Sequence, residues 1–558
     1  MLEFQRIVFL QGLFTFVIVP AIAIFLGFVA PSNLVTVKLT HSFFHTANII
    51  QLHRSPTYFP SPPYTLFSTR VVLPSRTIKP SYILITSEGK IHDLCPSLAR
   101  TPSEWRKVVI DVSPLVVMPG LIDPHVHVNA PGREEWEGFE HATRAAAAGG
   151  TTTILDMPLN NVPSTIDAES LQKKIRAWAH SDSVVDVGLI GGIVHGNKES
   201  VGDLIDGGVL ALKSFMIDSQ SAHFPHVNAA DLKDAVVELN RIFSNSNYVG
   251  REVPYILHAE LDDFGPDTGS RATTQGTYDH TSYDDYEKSR PHSWETNAVE
   301  LAANIANNTR VHIHIAHVSS HRAAQRIFEL RSSNSFKGKI TAETCTQYLV
   351  WGKEEIPPGS TSYKCAPPIR SVRNRDKLRS YLFRIDRESA SLDFVASDHS
   401  PCPPELKQGE NLTKAWGGIS GLQYRLQGTW SVAKELNLTI IQLSDILSGR
   451  PASVFGIDGM KGVLKSGLDA DLLIWDPESS VVLNPGNCLH RHKVSAFHGY
   501  KGQGEVYYTL LRGRPVYNRN SESLAVSNTH PSPGRLLMRE KRDGTISQRL
   551  STEFSQYS

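Results

Sequence analysis

The sequence predicts an α/β protein, a (β/α)8 TIM-type barrel with a small β-sandwich domain built from both flanks of the chain. In the middle of the chain, apolar runs of β-type composition alternate with helical patterns, which is typical of parallel βα units. Eight such runs over roughly 330 residues fit a barrel with enlarged loops. The short β-type runs on either side are too few to stand alone, so we expect them to form one domain together.

The predicted barrel strands share an apolar, β-branched composition and cover residues 116–128, 152–157, 184–190, 209–215, 255–259, 311–317, 340–345 and 392–397. Helical patterns lie between most of them, at 137–148, 171–179, 229–242, 294–307 and 322–332. In barrels of this kind the catalytic residues lie at the C-terminal ends of the strands. Functional side chains are therefore expected where these runs end.

The small domain is predicted to comprise residues 68–117 and 455–520, and the barrel residues 118–454. Its β-type runs, separated by turn residues, lie at 70–74, 82–86 and 91–94 before the barrel and at 470–475, 507–511 and 515–517 after it. The polar, proline-rich stretch 31–67 is interpreted as a linker. Residues 521–558 contain few core-forming side chains and are interpreted as a mostly disordered tail.

The charge balance argues against a polyanionic partner. Among the 558 residues, 56 Lys and Arg side chains offset 56 Asp and Glu side chains, and no basic segment stands out, so we expect no nucleic-acid binding. The five cysteines are scattered and contain no Cys-x-x-Cys pair. This spacing argues against a disulfide framework and favours a reducing compartment.

The first 30 residues form a hydrophobic segment. Residues 7–30 contain no charged side chain and are long enough to span a bilayer. The segment is interpreted either as a single-pass membrane anchor or as a peripheral extension that the catalytic body does not need. Basic residues on its C-terminal side weakly favour a cytoplasmic catalytic body. Membrane contact is expected only through residues 7–30.

The ends of five predicted barrel strands carry side chains suited to a metal site: His125, His127, Lys213, His258, His317 and Asp398. Alternate residues of a strand share a face, so His125 and His127 are expected to point the same way. Imidazole and carboxylate suit Zn²⁺ and similar divalent ions. Two such ions would hold a hydroxide between them and polarise a carbonyl group. A neighbouring carboxylate can take the proton of the hydroxide and deliver it to a leaving nitrogen.

Lys213 is the unusual member of this set, because an ammonium group has no lone pair with which to bind a metal. Reaction with CO₂ would convert its side chain to a carbamate, an anionic group with two oxygens that can bridge two ions. The amino-acid sequence by itself does not reveal this modification.

The segment Asp123-Pro124-His125-Val126-His127, taken with the other strand-end residues, resembles the amidohydrolase superfamily. The resemblance covers residues 68–520 and is closer to the cyclic-amide hydrolase branch. It is strongest to the allantoinases, in the stretches 125–139, 149–160, 343–349 and 397–406. The first of these is specific, whereas the His-x-His pair alone would indicate only the superfamily.

The resemblance implies two divalent metal ions, of which Zn²⁺ is expected, although Co²⁺, Mn²⁺ and Fe²⁺ accept the same ligands. It implies that His125, His127 and Asp398 bind one ion, that His258 and His317 bind the other, and that carbamylated Lys213 bridges them. Asp398 would also be the catalytic proton shuttle. Implied substrate contacts are Asn129, Ser319 and Cys365, the last in a loop that would contact the ring amide through its backbone.

The resemblance also implies an activity, the hydrolysis of a ring amide of allantoin to allantoate by a metal-bound hydroxide, in purine catabolism. A homotetramer is expected from the same likeness. One alternative is a hydantoinase or dihydropyrimidinase; those relatives place a tyrosine five residues after the bridging lysine, where this chain has Asp218. Another alternative is a non-catalytic scaffold that has lost its metal ligands. The presence of all six site residues argues against it.

The polar stretch 262–289 is interpreted as a long loop over the rim of the barrel. A solvated surface excursion is favoured over a role as a lid.

Overall fold

The structure is a computed structural model that describes residues 36–38, 48–51, 59–248, 250, 252–262, 279–382, 391–520 and 533–539. The hydrophobic segment 7–30 and its interpretation as an anchor lie outside the described residues. Within them, no helix has both the length and the apolar character needed to cross a bilayer. All five cysteines are buried and unpaired, in agreement with the prediction that they form no disulfide framework.

The strands of the described residues are β1 (Thr36–Lys38), β2 (Asn48–Gln51), β3 (Tyr64–Leu73), β4 (Thr77–Ile85), β5 (Ile91–Cys95), β6 (Val108–Asp111), β7 (Val116–Pro119), β8 (Leu121–Val126), β9 (Thr151–Asp156), β10 (Asp186–Gly192), β11 (Ala211–Phe215), β12 (Tyr255–His258), β13 (His312–Ile315), β14 (Lys339–Cys345), β15 (Phe394–Ala396), β16 (Leu472–Val482), β17 (Lys501–Leu511), β18 (Arg514–Asn518) and β19 (Leu536–Leu537).

The helices are α1 (Gly138–Ala148), α2 (Ala168–Ala179), α3 (Val201–Asp206), α4 (Ala229–Ser244), α5 (Tyr283–Lys288), α6 (His292–Ala306), α7 (His321–Ser332), α8 (Thr346–Val350), α9 (Val372–Leu382), α10 (Arg425–Glu435), α11 (Ile440–Ser444) and α12 (Arg450–Val454). Local capping explains several of their starts. Asp167 and Asn228 accept hydrogen bonds from the first-turn amides of α2 and α4, which satisfies donors that a helix leaves unpaired.

The predicted barrel is confirmed. Strands β8 to β15 form a parallel sheet in sequence order, and a parallel bridge between Val126 and His399 brings its two edges together. The strands β8 to β13 are buried almost throughout, as their unbroken apolar composition predicts for a sheet covered on both faces. Parallel strands in a closed barrel bring their C-terminal ends to one rim, which is where the site lies.

The second sheet confirms the small β domain built from both flanks. Its order is β1-β2-β6-β3-β7-β16-β17-β18; β4 pairs with β3, and β5 pairs with β4. The antiparallel pair of β7 and β16 joins the two halves of the chain, with Met118 opposite Leu473. Side chains from both flanks, such as Leu66, Ile83, Leu472 and Leu510, share one apolar core.

Two boundaries differ from the prediction. The apolar run 116–128 is not one strand, because β7 belongs to the small sheet and β8 to the barrel. Gly120 separates them, and a Cβ there would lie 2.3 Å from Thr152 Oγ1 on β9, so the junction has no room for a side chain. The predicted linker 31–67 also differs, since β1, β2 and the start of β3 at Tyr64 lie within it.

The predicted disordered tail differs from the structure at residues 533–539. Within them, β19 pairs in parallel with β10, placing Leu536 opposite Val187. Backbone bonds join Gly534 N to Ser183 O at 3.0 Å and Val187 N to Arg535 O at 2.9 Å. This short segment therefore extends the barrel sheet at the N-terminal end of β10. The rest of the predicted tail lies outside the described residues.

Candidate metal centre

All six predicted strand-end residues come together at the C-terminal rim of the barrel. They lie on or just after β8, β11, β12, β13 and β15, in the order His125, His127, Lys213, His258, His317 and Asp398. Each is buried, with a relative exposure of 8 % or less. The barrel thus brings together residues that are far apart along the chain, as the sequence predicts.

The donor atoms of His125, His127 and Asp398 all lie within 4.8 Å of one another. Asp398 Oδ1 is 3.2 Å from His125 Nε2 and 3.5 Å from His127 Nε2. Imidazole and carboxylate atoms converging at such spacing fit a single divalent cation between them.

The second pair lies beside the first. The ring centroids of His258 and His317 are 4.5 Å apart, and those of His317 and His125 are 5.3 Å apart. Burial lowers the pKa of His127 and His258 and lowers that of His317 well below its usual value. These imidazoles are therefore neutral at pH 7, which is the form that binds metal.

Lys213 lies fully buried in this cluster, and no acceptor among the described residues meets its Nζ. Burial lowers the pKa of Lys213 to about 8. A buried ammonium without a partner is unfavourable, whereas the neutral amine is the form that reacts with CO₂. The environment of Lys213 is thus consistent with a carbamate.

Two site residues occupy the left-handed region of the backbone, His317 at φ +37° and Asp398 at φ +46°. Such conformations are unfavourable for residues with a side chain and persist only where neighbours impose them. Here Val318 N donates to Glu343 O at 2.8 Å, and His399 N donates to Ser397 Oγ at 3.1 Å. These contacts hold the strand ends so that both side chains point into the cluster.

Outer partners orient three of the histidines. His125 Nδ1 lies in a short contact with Glu343, whose other carboxylate oxygen is 3.3 Å from His314 Nε2. His258 Nε2 is 2.7 Å from Glu260, and His127 Nδ1 is 3.2 Å from the Asn160 amide. Partners of this kind fix the tautomer of a ligating imidazole and its ring orientation.

The charges of these partners are set by their neighbours. Burial opposes ionisation of Glu343 and Glu260, but His125 lowers the pKa of Glu343 well below its usual range, and Arg290 lowers that of Glu260 to about 2. Burial also opposes ionisation of Asp398, yet His125 and His127 lower its pKa. All three carboxylates are therefore ionised at neutral pH.

Sequence reasoning did not assign roles to Glu343, Glu260 or Asn160. Signals for them were present, because Glu343 begins one of the stretches resembling allantoinases, Asn160 ends another, and Glu260 follows His258 by two residues. None of them could be recognised as an outer partner without knowing which histidine it faces.

A cavity of about 430 Å³ opens above the cluster. Apart from the metal-site residues, its wall combines aromatic and polar side chains, chiefly Phe215, Asp218, Gln220, Tyr286, Arg290, Trp294 and Trp416. A cavity of this size, with aromatic surfaces and placed polar groups in its wall, suits a small molecule.

The three predicted substrate contacts lie close to this cavity but do not line it. Asn129 is buried, and its Nδ2 is 3.4 Å from Pro401 O. Ser319 Oγ donates to Glu295 Oε1 at 3.0 Å, and the Cys365 carbonyl accepts from Tyr286 Oη at 2.9 Å. The neighbours Lys364 and Ala366 do line the cavity. Direct substrate contact by these three residues stays a prediction.

The described part of the stretch 262–289 contributes side chains to the cavity wall, which a solvated surface loop would not do. Within its described part, α5 carries Tyr286 to the cavity wall, and His280 and Ser289 line the cavity on either side of α5. Tyr283 Oη accepts from Ile369 N at 3.0 Å, which ties the segment to the loop after β14. The interpretation as a purely solvated loop is therefore wrong for residues 280–289.

A second group of carboxylates, formed by Asp186, Asp469 and Asp471, does not resemble the first. Lys461 Nζ lies between them, 2.7 Å from Asp186 Oδ2 and 3.2 Å from Asp469 Oδ2, and Arg512 Nη1 is 2.8 Å from Asp186. The ammonium takes the place that a cation would occupy. This cluster joins β10 of the barrel to the small domain.

Comparison with known proteins agrees with this geometry. The amidohydrolase family model matches residues 116–229. An allantoinase of Arabidopsis thaliana is 37 % identical over 503 residues, covering 87 % of this chain and 94 % of the relative. The chain belongs to the allantoinase family. An allantoinase of Saccharomyces cerevisiae is 35 % identical, and the match covers 80 % of this chain and 94 % of that relative.

Solved structures show the same architecture in the wider family. An L-hydantoinase (dihydropyrimidinase) from Arthrobacter aurescens matches with a TM-score of 0.73 and 25 % identity, covering 85 % of this chain and 100 % of that one. Membership of the allantoinase family, together with the donor set described above, implies a divalent metal centre at the rim. The donors present fit such a centre, because His127, His258 and His317 are neutral imidazoles, the Asp398 carboxylate is ionised, and no acceptor among the described residues meets Lys213 Nζ.

Proposed function

We propose that this chain is an allantoinase, which hydrolyses a ring amide of allantoin to give allantoate. The observation that carries the proposal is the convergence of four histidines, Lys213 and Asp398 beneath a small-molecule cavity, in a chain of the allantoinase family. The reaction adds the oxygen of water to a ring carbonyl carbon, breaks the ring C–N bond and leaves a carboxylate and an amide nitrogen.

Two divalent ions, Zn²⁺ in the first instance, are proposed to bind here. His125, His127 and Asp398 would hold one ion, and His258 and His317 the other. Lys213, as a carbamate, would bind both. When bound, the ions supply Lewis acidity towards the carbonyl oxygen and activate the attacking water. The lack of an acceptor for Lys213 Nζ among the described residues and the lowered pKa values of His127, His258 and His317 support this assignment.

Asp398 is proposed as the catalytic acid and base. Its carboxylate is ionised at neutral pH because His125 and His127 lie beside it, so it can accept a proton from the attacking water. It would then deliver that proton to the departing ring nitrogen. The left-handed backbone at Asp398 directs the carboxylate towards both the cluster and the cavity.

Asp218 bears on the choice of ring. It lines the cavity five residues after Lys213, where the resemblance predicts a tyrosine in hydantoinases and dihydropyrimidinases. Without that phenol, stabilisation of the developing oxyanion falls to the metal centre. This difference favours allantoin over an unsubstituted hydantoin or dihydrouracil. Asn129, Ser319 and the Cys365 backbone complete the proposed surroundings of the ring.

A homotetramer and a cytoplasmic catalytic body, with or without an anchor at residues 7–30, complete the proposal. Light scattering of the purified full chain would measure the assembly. Fractionation of cells that express the full chain, beside a version lacking residues 1–30, would separate the anchor from a peripheral extension. An anchor requires that only the full chain sediments with membranes and resists extraction with salt.

The decisive experiment compares ring opening of allantoin, hydantoin and dihydrouracil by the purified, metal-loaded full chain. A strong preference for allantoin is expected. Preference for either of the other rings would replace this proposal with a hydantoinase or dihydropyrimidinase. A folded, metal-loaded protein that opens none of the rings would indicate a scaffold.

A matched variant tests the site within the same assay. Asp398→Asn should lower kcat by at least about 10²–10⁴-fold, because general acid–base catalysis is lost. Its metal content should stay close to that of the unmodified chain, because the histidines remain. Asp234→Asn, at an exposed position, is the control. Full activity of Asp398→Asn would remove this residue from the mechanism.

A further inference from the structure

The guanidinium group of Arg290 borders the cavity, and contacts on the side that faces away from the cavity hold it in place. It lies between α5 and α6, its side chain is 17 % exposed, and it lines the cavity with the metal-site histidines. Its Nε donates to Glu260 Oε1 at 3.0 Å, and its Nη2 makes a short contact with Glu260 Oε2. The two-point pairing fixes the plane of the guanidinium.

The backbone and the ring beneath Arg290 restrict it further. Arg370 Nη1 donates to the Arg290 carbonyl at 3.1 Å, and the guanidinium lies over Trp294, 5.5 Å from the ring centroid. Arg370 is buried, with a relative exposure of 2 %, and Trp294 belongs to α6 and lines the cavity. A side chain held in this way is already oriented before a ligand arrives.

One edge of the Arg290 guanidinium remains available to a ligand. Its Nε and Nη2 are used by Glu260, and its Nη1 meets no acceptor among the described residues. A guanidinium can only donate hydrogen bonds, so the group that satisfies Nη1 must be an acceptor. Because Glu260 already balances the charge of Arg290, a neutral acceptor fits this edge better than a second anion.

The position of Arg290 determines whether it can contact the ring amide of a substrate or the substituent on that ring. Glu260 stands between Arg290 and His258, whose Nε2 is 2.7 Å from Glu260 Oε2. A ring amide placed at the metal-site residues is therefore separated from Arg290 by a carboxylate. The substituent on that ring, rather than the amide to be cleaved, is the part that can extend to Nη1.

We propose that Arg290 is the specificity-determining residue that binds the ureido carbonyl oxygen of the substrate through Nη1. The inference rests on the proposed function, and it narrows the substrate class to five-membered cyclic amides that carry a urea-type substituent. A ring without that substituent leaves Nη1 unpaired in a partly buried site, which selects against it.

The test compares Arg290→Lys and Arg290→Gln with the unmodified chain. Lysine can keep the ion pair with Glu260 but has no second nitrogen to reach the substituent. The measurements are kcat and KM for allantoin, the inhibition constant of unsubstituted hydantoin, and the metal content. Arg241→Lys, at a surface position paired with Glu238, is the matched control.

For both variants we expect kcat/KM for allantoin to fall about 10–100-fold, mainly through KM, as loss of one hydrogen bond to a charged donor predicts. The inhibition constant of hydantoin should change less than about threefold, and the metal content of Arg290→Lys, which keeps the ion pair with Glu260, should be unchanged. Equal losses for allantoin and hydantoin, or a loss of metal in Arg290→Lys, would overturn the inference and leave Arg290 as a support for Glu260. Failure of the unmodified chain to open allantoin would instead refute the proposed function, and this inference with it.

Discussion

Glu260 Oε2 lies 2.7 Å from His258 Nε2, so the outer nitrogen of a proposed metal ligand is held by a buried carboxylate. Because a neutral imidazole carries only one proton, donation from Nε2 leaves Nδ1 free to bind a metal. The same carboxylate pairs with Arg290, which keeps it ionised. A single side chain thus links the metal centre to the wall of the substrate cavity.

Replacing Glu260 should weaken the metal site without removing a ligand. Glu260→Gln retains the size of the side chain but loses its charge, so it no longer fixes the tautomer of His258. We expect metal affinity to fall about 10–100-fold, as found for outer partners of ligating histidines. Competition with a chelator would measure it, with the surface variant Glu238→Gln as the control. Unchanged affinity in Glu260→Gln would show that Arg290, not His258, is the main partner of this carboxylate.

Removing Lys213 should abolish the bridge between the two proposed ions. Lys213→Ala is expected to bind less metal per chain and to lose at least about 10²-fold in kcat/KM, since two ions lose a shared ligand. A short carboxylic acid such as propionate should restore part of both, because its two oxygens can replace those of a carbamate. Lys198→Ala, at an exposed position, is the control. If Lys213→Ala retains full metal content and activity, the bridging role is wrong.

The strand-end residues could be predicted because their signal is local. A buried run of apolar residues that ends in His-x-His already specifies a shared face, and the barrel brings such ends together. The partner Glu343 carries no such signal. Glu343 is 218 positions away from His125, and closure of the barrel, which places only β15 between β8 and β14, brings the two side chains into contact. A partner such as Glu343 is therefore a property of the closed barrel, whereas Glu260 lies in the same segment as its histidine, two residues after His258.

The boundaries were missed for a related reason. The apolar run at residues 116–128 has no internal change of periodicity, since β7 and β8 are both buried. The change of sheet occurs at Gly120, where only a residue without a Cβ fits against Thr152, which lies on a different strand. Likewise, β19 is too short to produce a β pattern, and it forms because β10 offers unpaired backbone groups to it.

Lys461 should be essential for stability because three carboxylates surround it. In Lys461→Met, buried charges lose their compensation, which costs about 3–5 kcal/mol. This corresponds to a fall in Tm of roughly 5 °C or more by calorimetry. Lys465→Met, at an exposed position four residues further on, is the control. Equal Tm values for the two variants would contradict a stabilising role of the cluster.

The same variant makes a prediction about pH. Burial raises the pKa of Asp471, and Lys461 opposes that rise, so loss of Lys461 raises it further. A carboxyl whose folded pKa lies above its unfolded value stabilises the fold only at low pH, and this contribution is lost as pH rises through the folded pKa. The Tm deficit of Lys461→Met should therefore be smallest near pH 4 and grow towards pH 7. A deficit that is largest in acid would exclude this explanation.

A side chain at position 534 should detach β19 from the barrel sheet. A Cβ at this position would lie 2.4 Å from Val185 O and 2.5 Å from Ser183 O, and neither backbone oxygen can move without disturbing the entry to β10. In Gly534→Ala we therefore expect residues 533–539 to detach, with loss of the bond from Val187 N to Arg535 O. Each such backbone bond contributes about 0.5–1.5 kcal/mol.

The amide of Val187 reports this event directly, because hydrogen exchange there should accelerate while exchange in α1, on the far side of β9, stays unchanged. Gly459→Ala is the matched control, since a Cβ at Gly459 meets nothing within 4 Å. If both variants exchange Val187 at the rate of the unmodified chain, β19 contributes nothing to the protection of β10. Faster exchange in Gly534→Ala alone would show that a segment from the far C-terminal part of the chain completes the barrel sheet.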